Sequence, residues 1–217
     1  MNTFFLDRLN SEPHALAFAG QSTPWPVALA DQSANPALDE ALHTHAAAAQ
    51  ALLYPVSAEL LATTGRPVDL FGFEPNPARL GAAAAASASV PGIALTQLGA
   101  LLDAAALGYN PAQAKPVAVL GHSQGVLAVH MVQAICEAGS IDAAAAKIDE
   151  ILAIATLIGV AGTRQARQLG LAARHGEATP MLSVKDITRA QVDALIERVD
   201  GARGPIAVAV TNSATHY

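Results

Sequence analysis

A chain of 217 residues with 52% apolar side chains, 4% aromatics and a formal net charge of −6 can bury one good core plus a small appendage. Its acidic balance, with no long basic run, excludes nucleic acid and anionic membrane surfaces as natural partners. A lone Cys136 excludes an intramolecular disulfide, the N-terminus lacks a basic segment leading into a long apolar one, and the alanine runs at 82–86 and 143–146 are too short for a bilayer; a cytoplasmic setting is expected.

His14 to Ala19 is short and apolar. It predicts a first strand that reaches Gly20-Gln21 and enters a turn stiffened by Pro24 and Pro26. A glycine and a polar side chain at the C-terminal end of a core strand is where open α/β sheets meet ligands. Pro36 through Thr64 predicts a helix with Leu38, Leu42, Leu52, Leu53, Val56, Leu60 and Leu61 as its apolar positions. His43 and His45, two residues apart, face different directions on a helix and cannot share a metal; both are expected to face solvent. Residues 66–90 read as a connection with room for a short helix. Pro91 suits a first helical turn, and apolar residues from Ile93 to Leu107 repeat at helical intervals until Gly108-Tyr109-Asn110-Pro111 closes the helix.

The most informative stretch follows. Pro116 to Leu120 is compact and β-branched enough for a buried strand, and the residues after Gly125, through Val129, Met131, Val132 and Ile135, suit a helix. Between them stands Gly121-His122-Ser123-Gln124-Gly125. A serine in a sharp strand-to-helix turn needs small neighbours two positions away, because two backbones pass close together there. Such a turn lifts the hydroxyl clear of the sheet and aims the following amides at one point, where an oxyanion can sit. The helix adds its positive N-terminal end.

Beyond a turn at Gly139-Ser140-Ile141-Asp142, Ile148, Ile151, Leu152, Ala155 and Ile158 fall on one apolar stripe of a long helix. Arg164, Arg167 and Arg174 suit its solvated end or connector. From Gly176 the character changes: Met181 to Val184 predicts a strand, Thr188-Arg189-Ala190-Gln191 a capping box opening a helix with Val192, Leu195, Ile196 and Val199, and Ile206 to Val210 a second strand. The expected organisation is a core over 1–176 and a smaller β-α-β subdomain from 177 to 217.

Phe18-Ala19-Gly20-Gln21, Gly121-His122-Ser123-Gln124-Gly125 and the tail ending Asn212-Ser213-Ala214-Thr215 resemble the acyltransferase domain of fatty acid synthases, the family of malonyl-CoA:acyl-carrier-protein transacylase. The Gly-His-Ser-Gln-Gly form, the long spacer to Leu157-Ile158-Gly159-Val160 and the phrase Met181 to Thr188 look most like the N-terminal acetyltransferase domain of fungal and actinobacterial type I synthases. The resemblance implies an α/β-hydrolase-like core with a parallel sheet and a ferredoxin-like subdomain, incomplete at the C-terminus. It also implies ping-pong transfer: Ser123 takes the acyl group from acyl-CoA as an ester and passes it to the phosphopantetheine thiol of an acyl carrier protein. The backbone N–H groups of Gln21 and Gln124 match the family's oxyanion hole, His122 adjoins the nucleophile at the substrate side, and no metal or bound cofactor is implied.

Malonyl-loading members place an arginine before a glycine on a later helix to pair with the free carboxylate. Ile158 stands at that position here and would leave a carboxylate desolvated and unpaired, so an uncharged acyl group, acetyl foremost, is expected from acetyl-CoA. A longer spacer leaves Arg164 as the alternative occupant, with a malonyl or palmitoyl transacylase as the other specificity. The family's general base is a histidine expected beyond residue 217. His130, about 10 Å along the helix by its rise, His175 and His216 fit that role poorly. The resemblance further implies the remaining domains of a large fatty acid synthase and a homo-oligomeric assembly as partners. Two rivals share the elbow: a serine esterase or thioesterase of the α/β-hydrolase class, which would release the acyl group to water, and a domain that keeps the fold without the chemistry.

Overall fold

Two short strands, β1 (Ala15–Phe18) and β2 (Ala118–Gly121), pair in parallel with Ala15 opposite Ala118 and Phe18 opposite Gly121. Parallel neighbours need a crossover between them, and here about half the chain supplies it. The computed structural model describes residues 3–20, 24–56, 58, 61, 68–72, 86–168, 184–199, 208, 211 and 213–217. Over these residues the protein is mixed α/β and mostly helical, with this small sheet. The chain divides into two compact units, Met1–Gly176 and Glu177–Tyr217.

In the first unit, α1 (Thr3–Ser11) precedes β1, and an exposed Arg8–Glu12 pair at 2.7 Å closes its last turn. Sequence reading assigned nothing there. Nor do Pro24 and Pro26 simply stiffen a turn. Pro24 is the N-cap and Pro26 lies in the first turn of α2 (Trp25–Ser33), where a missing N–H costs no helical bond. Asn35 opens α3 (Pro36–Leu53) by accepting from Ala37 N through its side chain. This helix gives way to a 3-10 turn at Tyr54–Val56, earlier than the expected Thr64.

The core is centred on α4 (Ala86–Ala106), whose Ile93, Leu95 and Leu98 are fully buried. It packs against α2, α3 and α7 (Ala145–Gln168). By length and apolarity alone α4 could cross a membrane, yet most of it is buried within the fold. Its start corrects the sequence reading: the helix begins at Ala86, so Pro91 lies inside it rather than in its first turn. The turns around it are closely packed. Gly92 lets the Trp25 ring close to 2.5 Å of where a β-carbon would stand, and Thr163 of α7 accepts from Ser87 N at 2.8 Å. Gly108, at φ +95°, ends α4 after Ala106, and Asn110 caps the short α5 (Pro111–Ala114).

His45 corrects a second expectation. The packing of α3 on α7 brings its Nδ1 to 2.7 Å from Asp149 Oδ1, with its side chain only 12% exposed, so it does not face solvent. His43 does remain exposed, stacked on Phe71 at 3.6 Å between ring centroids.

Gly139, at φ +88°, closes α6 (Val126–Ala138), and α7 returns antiparallel to it, which brings Lys147 near Glu137. On α7, Ile148, Ile151, Leu152 and Ala155 are buried as the helical period requires. Ile158 is not; it is 51% exposed, beside Ile154 and Leu157. The period is right but the neighbour ends. Val126 at the start of α6 and Ile154 line the same groove, so Ile158, one turn further along α7, has outrun α6.

The second unit is described from Val184 onward. Val184 and Tyr217 exchange two backbone hydrogen bonds of 3.0 Å, and Lys185 bridges His216 in antiparallel fashion. Thr188 and Gln191 form a reciprocal capping box, Thr188 N donating to Gln191 Oε1 at 2.9 Å and Gln191 N to Thr188 Oγ1 at 3.3 Å. It opens α8 (Arg189–Val199), which buries Val192. The expected strands at Met181 to Val184 and Ile206 to Val210 lie almost wholly outside the described residues.

Candidate active site

The turn between β2 and α6 is bought with backbone strain. Ser123 has φ +53°, the left-handed region that costs an L-residue with a β-carbon roughly 1–2 kcal/mol. His122 before it is still extended, at φ −92° and ψ 127°, and Ser123–Gly125 makes one 3-10 turn that runs into α6. The reversal is therefore completed at a single residue. Its side chain is exposed at the end of the strand, with the N-terminal end of α6 just behind it.

Glycines make this reversal possible by removing β-carbons from a three-layer backbone contact. A β-carbon on Gly121 would stand 2.5 Å from the Gly125 carbonyl carbon, and one on Gly125 would collide with Phe18 O and lie 2.9 Å from Ala19 O. The end of β1 therefore lies directly against the turn, and His122 N donates to Phe18 O at 3.0 Å to fix the register. Gly20 completes the contact: a β-carbon there would lie 2.6 Å from His122 O and 2.9 Å from Ser123 Cβ. The loop that leaves β1 thus passes within van der Waals reach of the Ser123 side chain.

Of the residues singled out from sequence, Ser123, His122 and Gln124 are adjacent on this turn. Ser123 and His122 are exposed; Gln124 is half-buried, and its buried Oε1 has no hydrogen-bond partner among the described residues. Gln21 falls outside the described residues, although its neighbour Gly20 is buried against the serine. Ile158 is exposed on α7, one turn beyond Ile154. A groove of about 410 Å³ runs from Val126 and Ile154 down between these two helices, with His130 and Ile151 among its walls.

The histidines are spread over different tasks. His14 Nε2 lies 2.8 Å from the Tyr109 hydroxyl and its Nδ1 2.9 Å from Glu12 O, while His45 is held by Asp149. His130 is exposed on α6, His216 belongs to the antiparallel bridge of the second unit, and His175 lies outside the described residues. Among the described residues no group of three or more His, Cys, Asp or Glu converges as a metal site does.

One neighbour of the turn escaped sequence reading. Gln97 of α4 is buried, and its Nε2 donates to Ala19 O at 2.5 Å. Its only trace in the sequence is a long polar side chain among Ile93, Leu95, Leu98 and Leu101.

Taken together, an exposed serine on a strained corner, a helix N-terminus and an adjoining glycine loop can form and stabilise an ester at a carbonyl carbon. The family model described as "SAT: Starter unit:ACP transacylase in aflatoxin biosynthesis" matches residues 74–216, more than half of the chain, including the turn and Ile158. No curated protein matches the chain.

Proposed function

Because the chain belongs to the starter unit:ACP transacylase family, we propose that it loads an uncharged short acyl group, acetyl foremost, from CoA onto an acyl carrier protein through an ester at Ser123. The observation that carries this reading is the left-handed Ser123 with Gly20 packed 2.9 Å, at its absent β-carbon, from the Ser123 Cβ. A glycine-flanked serine serving merely as a helix cap would need neither.

In the proposed reaction, Ser123 Oγ attacks the thioester carbonyl, its proton passes to a base, and a tetrahedral oxyanion forms. Collapse breaks the carbon–sulfur bond and releases CoA thiol. The phosphopantetheine thiol then attacks the ester, and a second oxyanion collapses to return the Ser123 hydroxyl. The amides of Gln124 and Gln21 are the proposed oxyanion donors; losing one such donor typically costs about 3–4 kcal/mol of barrier. His14 and His45, engaged by Tyr109 and Asp149, are not proposed as that base. No bound metal or cofactor takes part in this scheme.

Acyl preference is assigned to Ile158. Its half-exposed position beyond the start of α6 supports a side chain that meets substrate rather than one that fills the core. Isoleucine offers nothing to a carboxylate, so malonyl groups are disfavoured. The parallel β1–β2 pair and the elbow support an α/β-hydrolase-like core, and the capped α8 beside an antiparallel pairing supports a ferredoxin-like second unit. We place the protein in the cytoplasm, working with the other domains of a large, homo-oligomeric fatty acid synthase.

Mass spectrometry of the intact enzyme after mixing with acetyl-CoA tests the reading. One acetyl group is expected on Ser123, transferable to a phosphopantetheine thiol and absent in Ser123→Ala. Release of acetate at the same rate without carrier thiol identifies a hydrolase instead. Ile158→Arg is expected to admit malonyl-CoA; acetyl loading that persists while malonyl-CoA stays untouched displaces specificity from Ile158.

A further inference from the structure

We infer that Gln97 is a positioning residue for acyl transfer: from the core helix α4 it holds the Ala19 peptide, and through it Gly20, against the Ser123 turn. This inference rests on the proposed transferase chemistry at Ser123.

The bond itself is unambiguous in sense. Ala19 O can only accept, so the Gln97 amide nitrogen must be the atom that faces it, at 2.5 Å. The carbonyl it holds is the last one before Gly20. Fixing that oxygen fixes the plane of the Ala19–Gly20 peptide, because the bond between them is planar. It thereby fixes where the Gly20 α-carbon stands beside the Ser123 turn. Gly20 is the residue whose β-carbon position lies 2.6 Å from His122 O and 2.9 Å from Ser123 Cβ. With no β-carbon, Gly20 has a wide intrinsic range of φ. Gln97 ties it to the most deeply buried helix of the fold.

Stability of the core does not explain an amide at this place. Gln97 is 8% exposed, on a helix whose neighbouring positions are Ile93, Leu95, Leu98 and Leu101. Its Oε1 is buried and has no hydrogen-bond partner among the described residues. An unpaired buried acceptor costs the fold free energy. The return on that cost is the placement of a peptide that β1 and β2 alone do not hold, since the pairing ends at Phe18 and Gly121. The corner that carries the nucleophile must already be in place when charge develops, and a corner left to shift loses much of its effect.

The test measures single-turnover acetylation of Ser123 from acetyl-CoA in the intact enzyme, over a range of acetyl-CoA concentrations, beside melting temperature. Gln97→Met keeps length and volume but removes the N–H. It is expected to lower the maximal acylation rate roughly 10- to 100-fold, with the half-saturating acetyl-CoA concentration within twofold of wild type. Transfer to the carrier thiol, which passes through the same oxyanion, should fall by a similar factor. Gln97→Glu serves even if the Met variant fails to fold. Its carboxyl can donate to Ala19 O only when protonated, so its rate relative to wild type should rise as pH falls.

A folded Gln97→Met that acylates at the wild-type rate overturns the inference. So does a Gln97→Glu whose rate stays in constant ratio to wild type across pH, or a loss seen only in melting temperature. A wild-type enzyme that takes no acyl group at Ser123 overturns the transferase reading itself, an outcome distinct from these.

Discussion

The corner where β1 meets the Ser123 turn and the helical layer of α4 on α7 are held by different means. At the corner, backbone touches backbone: Gly20, Gly121 and Gly125 leave no room for a β-carbon against His122, Gly125 and Phe18. In the layer, mostly side chains such as Leu98, Ile148 and Leu152 fill the space, and an apolar side chain of similar volume can replace another. The corner therefore specifies a geometry, whereas the layer supplies a quantity of burial. One should fail abruptly and the other by degrees.

The largest effect is expected at the corner. Gly125→Ala forces a methyl into Phe18 O, and neither strand end can retreat without breaking the β1–β2 pairing. A loss above about 3–4 kcal/mol is expected, read as a shift of the urea midpoint or failure to fold; a loss below 1 kcal/mol would break the comparison. In the layer, Leu98→Ala should cost about 2–5 kcal/mol through the cavity it leaves. The molecules that remain folded should acetylate Ser123 at the wild-type rate, which would sharpen the contrast. A smaller step, about 1 kcal/mol in the same urea titration, is expected for Asn35→Ala, which removes the α3 cap from outside both regions.

The smallest effect is one of pH. Burial pushes the Tyr109 phenol above its ordinary value near 10, with Cys136 adding to the shift. A raised pKa in the folded state means the fold binds that proton more tightly than the unfolded chain. The associated stability is whole below the unfolded value and fades as pH climbs through the folded one. Tyr109→Phe should flatten the alkaline limb of a stability–pH curve, leaving its neutral part displaced only by the loss of the His14 hydrogen bond.

What could be read in the sequence divides along the same line. The turn between β2 and α6 was legible because close backbone approach leaves a local mark, glycines at fixed spacing around a serine. The capping box at Thr188 and the Gly108 stop are likewise local. Contacts between distant segments leave no such mark. Nothing around His45 announces Asp149, and nothing around Gln97 announces Ala19, 78 positions away. Ile158 marks the same limit: periodicity tells which line of a helix a residue occupies, but not where the neighbouring helix stops. Pro24, Pro26 and Pro91 were misjudged because proline excludes one bond and leaves the surrounding structure to decide whether that bond is missed.

The positive φ of Ser123 carries an evolutionary consequence. Glycine or asparagine would sit in that conformation more comfortably than serine does. A library of this protein sorted for heat resistance alone should accordingly drift toward those two residues at position 123 and fill with robust, inert molecules. Only a screen that also demands turnover would keep the less comfortable hydroxyl.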